Sequence, residues 1–258
     1  MASSRHLKTK IRSVGNIKQI TKAMQMVAAT KMRKSQEAAL SARPYAKKSL
    51  ALLSHLLQYG SAEGISSKYW EANGEKKTKS DNVALVVVTS DKGLAGSFNS
   101  GVLRTAVKWK EAQENQVDIV AVGKKGRDFF KARDAVIAAE FFQLSDTLVF
   151  GDVVPVMDWV MDAYDEGGYD KVVFCSTQFV SALVQKPEVH QILPLEREEL
   201  EKIVEGIVPK TGLYSELREE NGNTNGAVQY ILEPSSREIM EKVVRNLVQV
   251  AIMHLIFE

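Results

Sequence analysis

Apolar residues at Leu7, Ile11, Val14, Ile17, Ile20, Met24 and Val27 recur in steps of three and four, with polar or basic residues between them. That spacing lays them in one narrow stripe on a helix. Beyond Val27 the stripe turns small at Ala38, Ala39 and Ala42, which permits close helix approach, and becomes bulky again at Leu50, Leu53 and Leu57. Pro44 interrupts one backbone bond, yet the pattern resumes on both sides, so the spacing predicts a single helix of about 55 residues with Ser3 or Ser4 as N-cap. At about 1.5 Å per residue such a helix spans roughly 80 Å and must project from any compact domain. A stripe this narrow needs a partner helix. The other end of the chain offers one: from Ser235 or Ser236 as N-cap, Ile239, Met240, Val243, Val244, Leu247, Val248, Ala251, Ile252, Leu255 and Ile256 form a wide apolar face. It is expected to pair with residues 7–57.

Between these helices the pattern changes. Residues 60–81, with Gly60, Gly64, Gly74 and a lysine-rich run, read as a linker, and Val83 to Thr89 is a continuous β-branched run suited to a strand buried on both faces. Further strands are predicted at 117–122, 136–139 and 171–176, alternating with helices at 99–115, 124–133 and 147–164, which implies right-handed crossovers and a mostly parallel sheet. Residues 177–194 and 227–233 read as additional strands at a mixed edge. The charged, Gly- and Asn-rich stretch 196–225 reads as a mobile insertion.

Charge sharpens this picture. The first fifty residues hold twelve Lys or Arg against one acid, Glu37, whereas the remaining 208 carry 22 basic and 31 acidic groups. A segment at +11 is therefore joined to a body at −9, under a net charge of only +2. The basic segment calls for an acidic partner, be it nucleic acid, an anionic membrane or an acidic protein surface. No apolar run approaches the roughly 18–20 residues of a membrane-spanning helix. The acid-poor start raises the possibility of a transit peptide, but the helical pattern starts by Leu7 without cleavage-like punctuation, so a mature helix is the better reading. The single cysteine, Cys175, lies in an apolar run and is read as core.

Catalytic signatures are not found. The turn from Ser90 to Asn99, containing Asp91, Gly93 and Gly96, follows the first strand of an α/β sheet, where nucleotides often bind. It matches neither the Walker spacing nor G-x-G-x-x-G, so it is read as a structural turn whose glycines relieve crowding between strand and helix, and Gly123-Lys-Lys-Gly126 likewise. His6, His55, His190 and His254 are scattered, which predicts no metal site. Asp162, Asp165 and Glu166 read as a solvated helix end. Neither a catalytic residue nor a cofactor is expected. A nucleic-acid-binding coiled coil remains the alternative, although the first aromatic on the basic helix is Tyr45, leaving no stacking platform. A nucleotide-dependent α/β enzyme is a second rival. Met24, Met26, Val27 and Ala28 suit an adaptable protein contact better than a lipid anchor.

The run from Asn16 through Gln36 (NIKQITKAMQMVAATKMRKSQ), followed by Ala42-Arg-Pro-Tyr-Ala46, resembles the N-terminal helix of ATP synthase gamma subunits. Thr89 to Asn99, Tyr164-Asp-Glu-Gly167, Gln191-Ile-Leu-Pro-Leu195 and Tyr230-Ile-Leu-Glu-Pro234 are similar to further family segments in the family's order. The resemblance implies long antiparallel terminal helices forming a coiled-coil shaft, with a Rossmann-like, mostly parallel α/β domain as its foot. Residues 1–58 would be the first shaft helix, 59–81 a linker, 82–233 the foot and 234–258 the start of the second shaft helix.

It further implies a non-catalytic central stalk of a proton-translocating F-type synthase, peripheral at the cytoplasmic face of the bacterial inner membrane. Lys10, Ile17, Lys22, Met24, Met26, Lys31, Arg33 and Lys34 would contact the hexamer of alpha and beta subunits. Arg43, Tyr45, Tyr230, Leu232 and Glu233 would face the epsilon subunit and the membrane c-ring. Neither nucleic acid nor direct membrane insertion is implied. Two departures stand out. Ala95 occupies a position where many relatives have Cys, and the family's last helix continues beyond the equivalent of Glu258, so the chain is expected to lack that helix's end. The run Ile252 to Phe257 fits this expectation, because a partner helix alone would leave half of its apolar face uncovered.

Overall fold

The computed structural model describes residues 4–60, 69, 82–144, 149–181, 184–196 and 235–257. The strand expected at 227–233 and nearly all of the stretch 196–225 lie outside them, as does most of the linker.

The first helix, α1, runs unbroken from Ser4 to Gly60, 57 residues with Pro44 inside, or roughly 85 Å at the helical rise. It is followed by β1 (Val83–Val88), α2 (Phe98–Glu111), β2 (Val117–Val122), α3 (Lys124–Lys131), β3 (Ile137–Phe141), α4 (Phe150–Asp165), β4 (Lys171–Phe179), β5 (Gln185–Leu193) and α5 (Ser236–Phe257). The five strands form one sheet in the order β3-β2-β1-β4-β5. β1 pairs in parallel with β2 and β4, β2 in parallel with β3, and β4 antiparallel with β5. The stretch 177–194 is thus resolved into the end of β4 and a returning edge strand.

Every residue of β1 is buried, because both faces of the sheet are covered. Side chains alternate between the faces. Ala84, Val86, Val88 and Phe174 pack with α4 and α5, whereas Val83, Leu85, Val87 and Cys175 pack with α2 and α3. Burying a Val, Leu or Phe side chain in this way stabilises by about 1.5–3 kcal/mol. Cys175 lies in the core as read, its Sγ donating to Val102 O at 3.5 Å.

Ser235 caps α5: its Oγ accepts the Glu238 N–H at 3.3 Å. Two expectations about this helix change. Its apolar end is not left half-covered, since Ile252, Leu255, Ile256 and Phe257 are buried in the same core cluster as β1 and α4. Nor does the α1 stripe find cover along its whole length. α1 packs along α5, with Ala38 against the core cluster and the Tyr45 Oη accepting a 3.1 Å hydrogen bond from Asn246 Nδ2. Residues 4–30, by contrast, are exposed throughout, and Leu7, Ile11, Val14, Ile17, Ile20, Met24 and Val27 are 51–71% accessible. α5 divides its apolar face between α1, its most extensive neighbour, and the sheet with α4.

Candidate functional site

The exposed part of α1 carries the outward chemistry. Lys10, Ile17, Met24 and Lys31 recur every seven residues and so line one side of the helix, with Lys22 and Met26 one turn apart beside them. All except Lys31, which is half-buried, are exposed, as are Arg33 and Lys34. Thr9, Thr21 and Thr30 turn their hydroxyls onto helix carbonyls at 3.0 Å, which leaves amines, guanidinium and thioethers as the groups presented to a partner. Arg33 is engaged with Glu37 through Nε–Oε1 at 3.0 Å, a bridge exposed enough to exchange for another carboxylate. A basic helical rod with a mixed apolar seam offers both charge attraction and burial of Met and Ile to a protein surface.

At the lower end, Tyr45 is held by Asn246, whereas the side chain of Arg43 and all of Tyr230, Leu232 and Glu233 lie outside the described residues. Asp91, Gly93 and Gly96 do build the turn after β1. Asp91 Oδ1 accepts the Lys124 N–H at 2.7 Å, and Asn99 Oδ1 accepts the Ser90 N–H at 2.9 Å, tying β1, α2 and α3 together. The crowding expected at Gly93 and Gly96 is absent. Gly93 meets only the tip of Lys125, and Gly96 is required by its φ of +57°. The tight approach is at Gly123, where an added Cβ would sit 2.0 Å from Thr89 O, with φ +91°.

Three arrangements escaped the sequence. Asp165 is not a solvated carboxylate: Tyr69 Oη donates to its Oδ2 at 2.8 Å, and Arg245 of α5 lies 3.7 Å away. Tyr169 donates to Asp118 at 3.2 Å, and burial, then the Asp118 charge, push its phenol up to about 12. His190 on β5 and His254 on α5, far apart in sequence, are close enough to interact, and burial first, His190 second, lowers His254 to about 3. Among the described residues no group of three His, Cys, Asp or Glu is arranged to hold a metal, and no helix is long and apolar enough to cross a membrane.

A family model for ATP synthase matches residues 3–258. The ATP synthase gamma chain of Pelotomaculum thermopropionicum is 35% identical over 98% of this chain and 79% of its own, and that of Desulfitobacterium hafniense 33% identical over 100% and 81%. In fold the chain is similar to one in the central stalk and c-ring of the Tetrahymena thermophila mitochondrial ATP synthase, with TM-score 0.59 and 20% identity over 92% of this chain and 91% of that one. Nothing in these likenesses favours a nucleic-acid-binding coiled coil. With matches of this identity along the whole described length, the chain belongs to the ATP synthase gamma chain family.

Proposed function

We propose that the chain is the turning central stalk of a rotary ATP synthase, a non-catalytic subunit whose α1 and α5 form an antiparallel coiled shaft above the α/β foot. The observation that carries this reading is the long exposed rail of α1, in which an apolar seam and a row of cations project together from the folded body. A surface of that kind is costly to leave in water and calls for a surrounding acidic protein. On this reading Lys10, Ile17, Lys22, Met24, Met26, Lys31, Arg33 and Lys34 face the hexamer of alpha and beta subunits. Arg43, Tyr45, Tyr230, Leu232 and Glu233 serve the epsilon subunit and the c-ring. Rotation presents different sides of the rail to successive catalytic sites and biases each among its conformations by differential contact. The subunit is peripheral, at the cytoplasmic face of a bacterial inner membrane, and couples proton flow to chemistry performed elsewhere in the complex.

Reconstitution tests it. The chain is mixed with purified alpha and beta subunits, complexes are separated by size exclusion, and ATP hydrolysis is measured with the unaltered chain and with Lys22→Glu/Arg33→Glu. One chain per hexamer with stimulated hydrolysis, reduced at least several-fold by the double reversal, is the expected result. Hydrolysis indifferent to both the chain and its reversed charges would sink the proposal.

A further inference from the structure

α5 has two apolar sides. Val244, Leu247, Val248, Ala251, Ile252 and Leu255 are buried in the core cluster with α4 and the sheet, whereas Ile239, Val243, Asn246 and Val250 are half-buried. The second set recurs in steps of four, three and four, which lays it in one line along the helix. That line faces α1, because Asn246 Nδ2 donates to the Tyr45 Oη at 3.1 Å. On α1 the matching side holds Ser35, Ala38 and Tyr45, separated by three and seven residues. Ser35 lines a cavity together with Ile256 of α5, while Tyr45 meets Asn246, so the two helices run antiparallel past each other.

The composition of this seam is uneven in a telling way. Ile239, Val243 and Val250 present smooth apolar surface, and Ser35 and Ala38 are too small to interlock with it. Packing of that kind changes little when one helix slides by a turn or a heptad. The Asn246 amide does discriminate: slid by a heptad, it would face Ala38 in place of the Tyr45 hydroxyl and lose its partner in a half-buried place. A lone Asn in an apolar helix seam selects one register at some cost in stability. Pro44 makes such a tie more necessary. Without an N–H it leaves the Leu40 carbonyl lacking its helix donor, so α1 bends most readily beside Tyr45.

We propose that Tyr45 and Asn246 are a positioning pair that fixes the register of α1 on α5. Its consequence rests on the stalk reading: a slip of one heptad would carry the basic and apolar rail of α1 about 10 Å along its axis relative to the foot, away from the partner surface it has to meet.

Double electron–electron resonance on the full chain tests the register directly. Spin labels go on Ser41→Cys of α1 and Glu166→Cys at the end of α4, both exposed positions, and Cys175, the chain's one native cysteine, is buried out of reach. The otherwise unaltered chain should give one narrow distance. Asn246→Leu should melt no lower, since leucine is the better helix former and adds apolar contact, yet should split or broaden the distance by about 5 Å for a turn or about 10 Å for a heptad. Tyr45→Phe, which removes only the hydroxyl, should broaden it in the same way. A single unchanged distance in either variant would overturn the proposal, and so would broadening in Asn246→Leu accompanied by a lower melting temperature, which would mean a loosened fold. No partner subunit enters this measurement, so its failure leaves the stalk reading to be decided by the reconstitution.

Discussion

Acid should loosen the junction between α5 and the sheet through one side chain, His254. It is 3% exposed, and burial, with His190 facing it from β5, lowers it to about 3 from an ordinary value near 6.5. The unfolded chain therefore takes up a proton at a pH where the folded chain does not. Stability is complete above pH 6.5, and falls as pH drops through the window from 6.5 towards 3, at a limiting slope of about 1.4 kcal/mol per pH unit. Between pH 8 and pH 5, above the range in which ordinary carboxylates titrate, the loss comes to about 2 kcal/mol. The groups beside it are His190 and, 3.5 Å from the His190 ring, Glu188. The measurement is urea unfolding followed by far-UV circular dichroism at half-unit pH intervals, for the parent and for His254→Leu, which cannot charge. The parent curve should fall away from the variant's by about 2 kcal/mol over that range. Parallel curves would refute the reasoning, since they would mean that protonated His254 is accommodated in the fold or that the residue is not enclosed.

Two further outcomes follow from packing alone. Gly123→Ala should destabilise by about 3 kcal/mol or more, because its Cβ would meet Thr89 O at 2.0 Å in a backbone held at positive φ, whereas Gly151→Ala, with open space around it, should be tolerated; thermal melts of the two variants compare them directly. Cys175, buried and with its thiol pushed up to about 12, should resist an aromatic disulfide reagent in the native state and react at a rate set by opening of the core, so a fast native reaction would contradict its enclosure.

The sheet was legible because its signals are local. Val83 to Val88 is apolar without interruption, as a strand covered on both faces requires, and the helix between each successive pair of strands from β1 to β4 dictates parallel pairing. The Ser235 cap and the unbroken course of α1 through Pro44 were readable for the same reason. What was hidden depends on contacts between distant segments. Nothing in Ile252 to Phe257 says whether a sheet or a partner helix will cover it, and the wide apolar face fits either. Asp165 looks solvated until Tyr69 and Arg245 arrive from elsewhere in the chain. The turn between β4 and β5 lacks the Gly or Asn that marks a hairpin, so the edge strand's start was blurred. The contact residues proposed on α1 rest on pattern and resemblance, since a rod with basic and apolar sides advertises itself in sequence.

The enclosure of α5 also bears on how it can be twisted. Successive residues are separated by about 100° around a helix axis, and from Ala251 to Phe257 every side chain is buried, whatever its direction. Turning this segment by a single residue step would exchange Met253, His254 and Leu255 among pockets shaped for other side chains, while Glu238 and Lys242, exposed farther back on the same helix, would swing towards apolar neighbours. Such a segment behaves as a spline seated in its hub. It resists spinning in place, and a twist applied at one end of α5 is handed to the whole sheet instead of being lost as slippage at the joint.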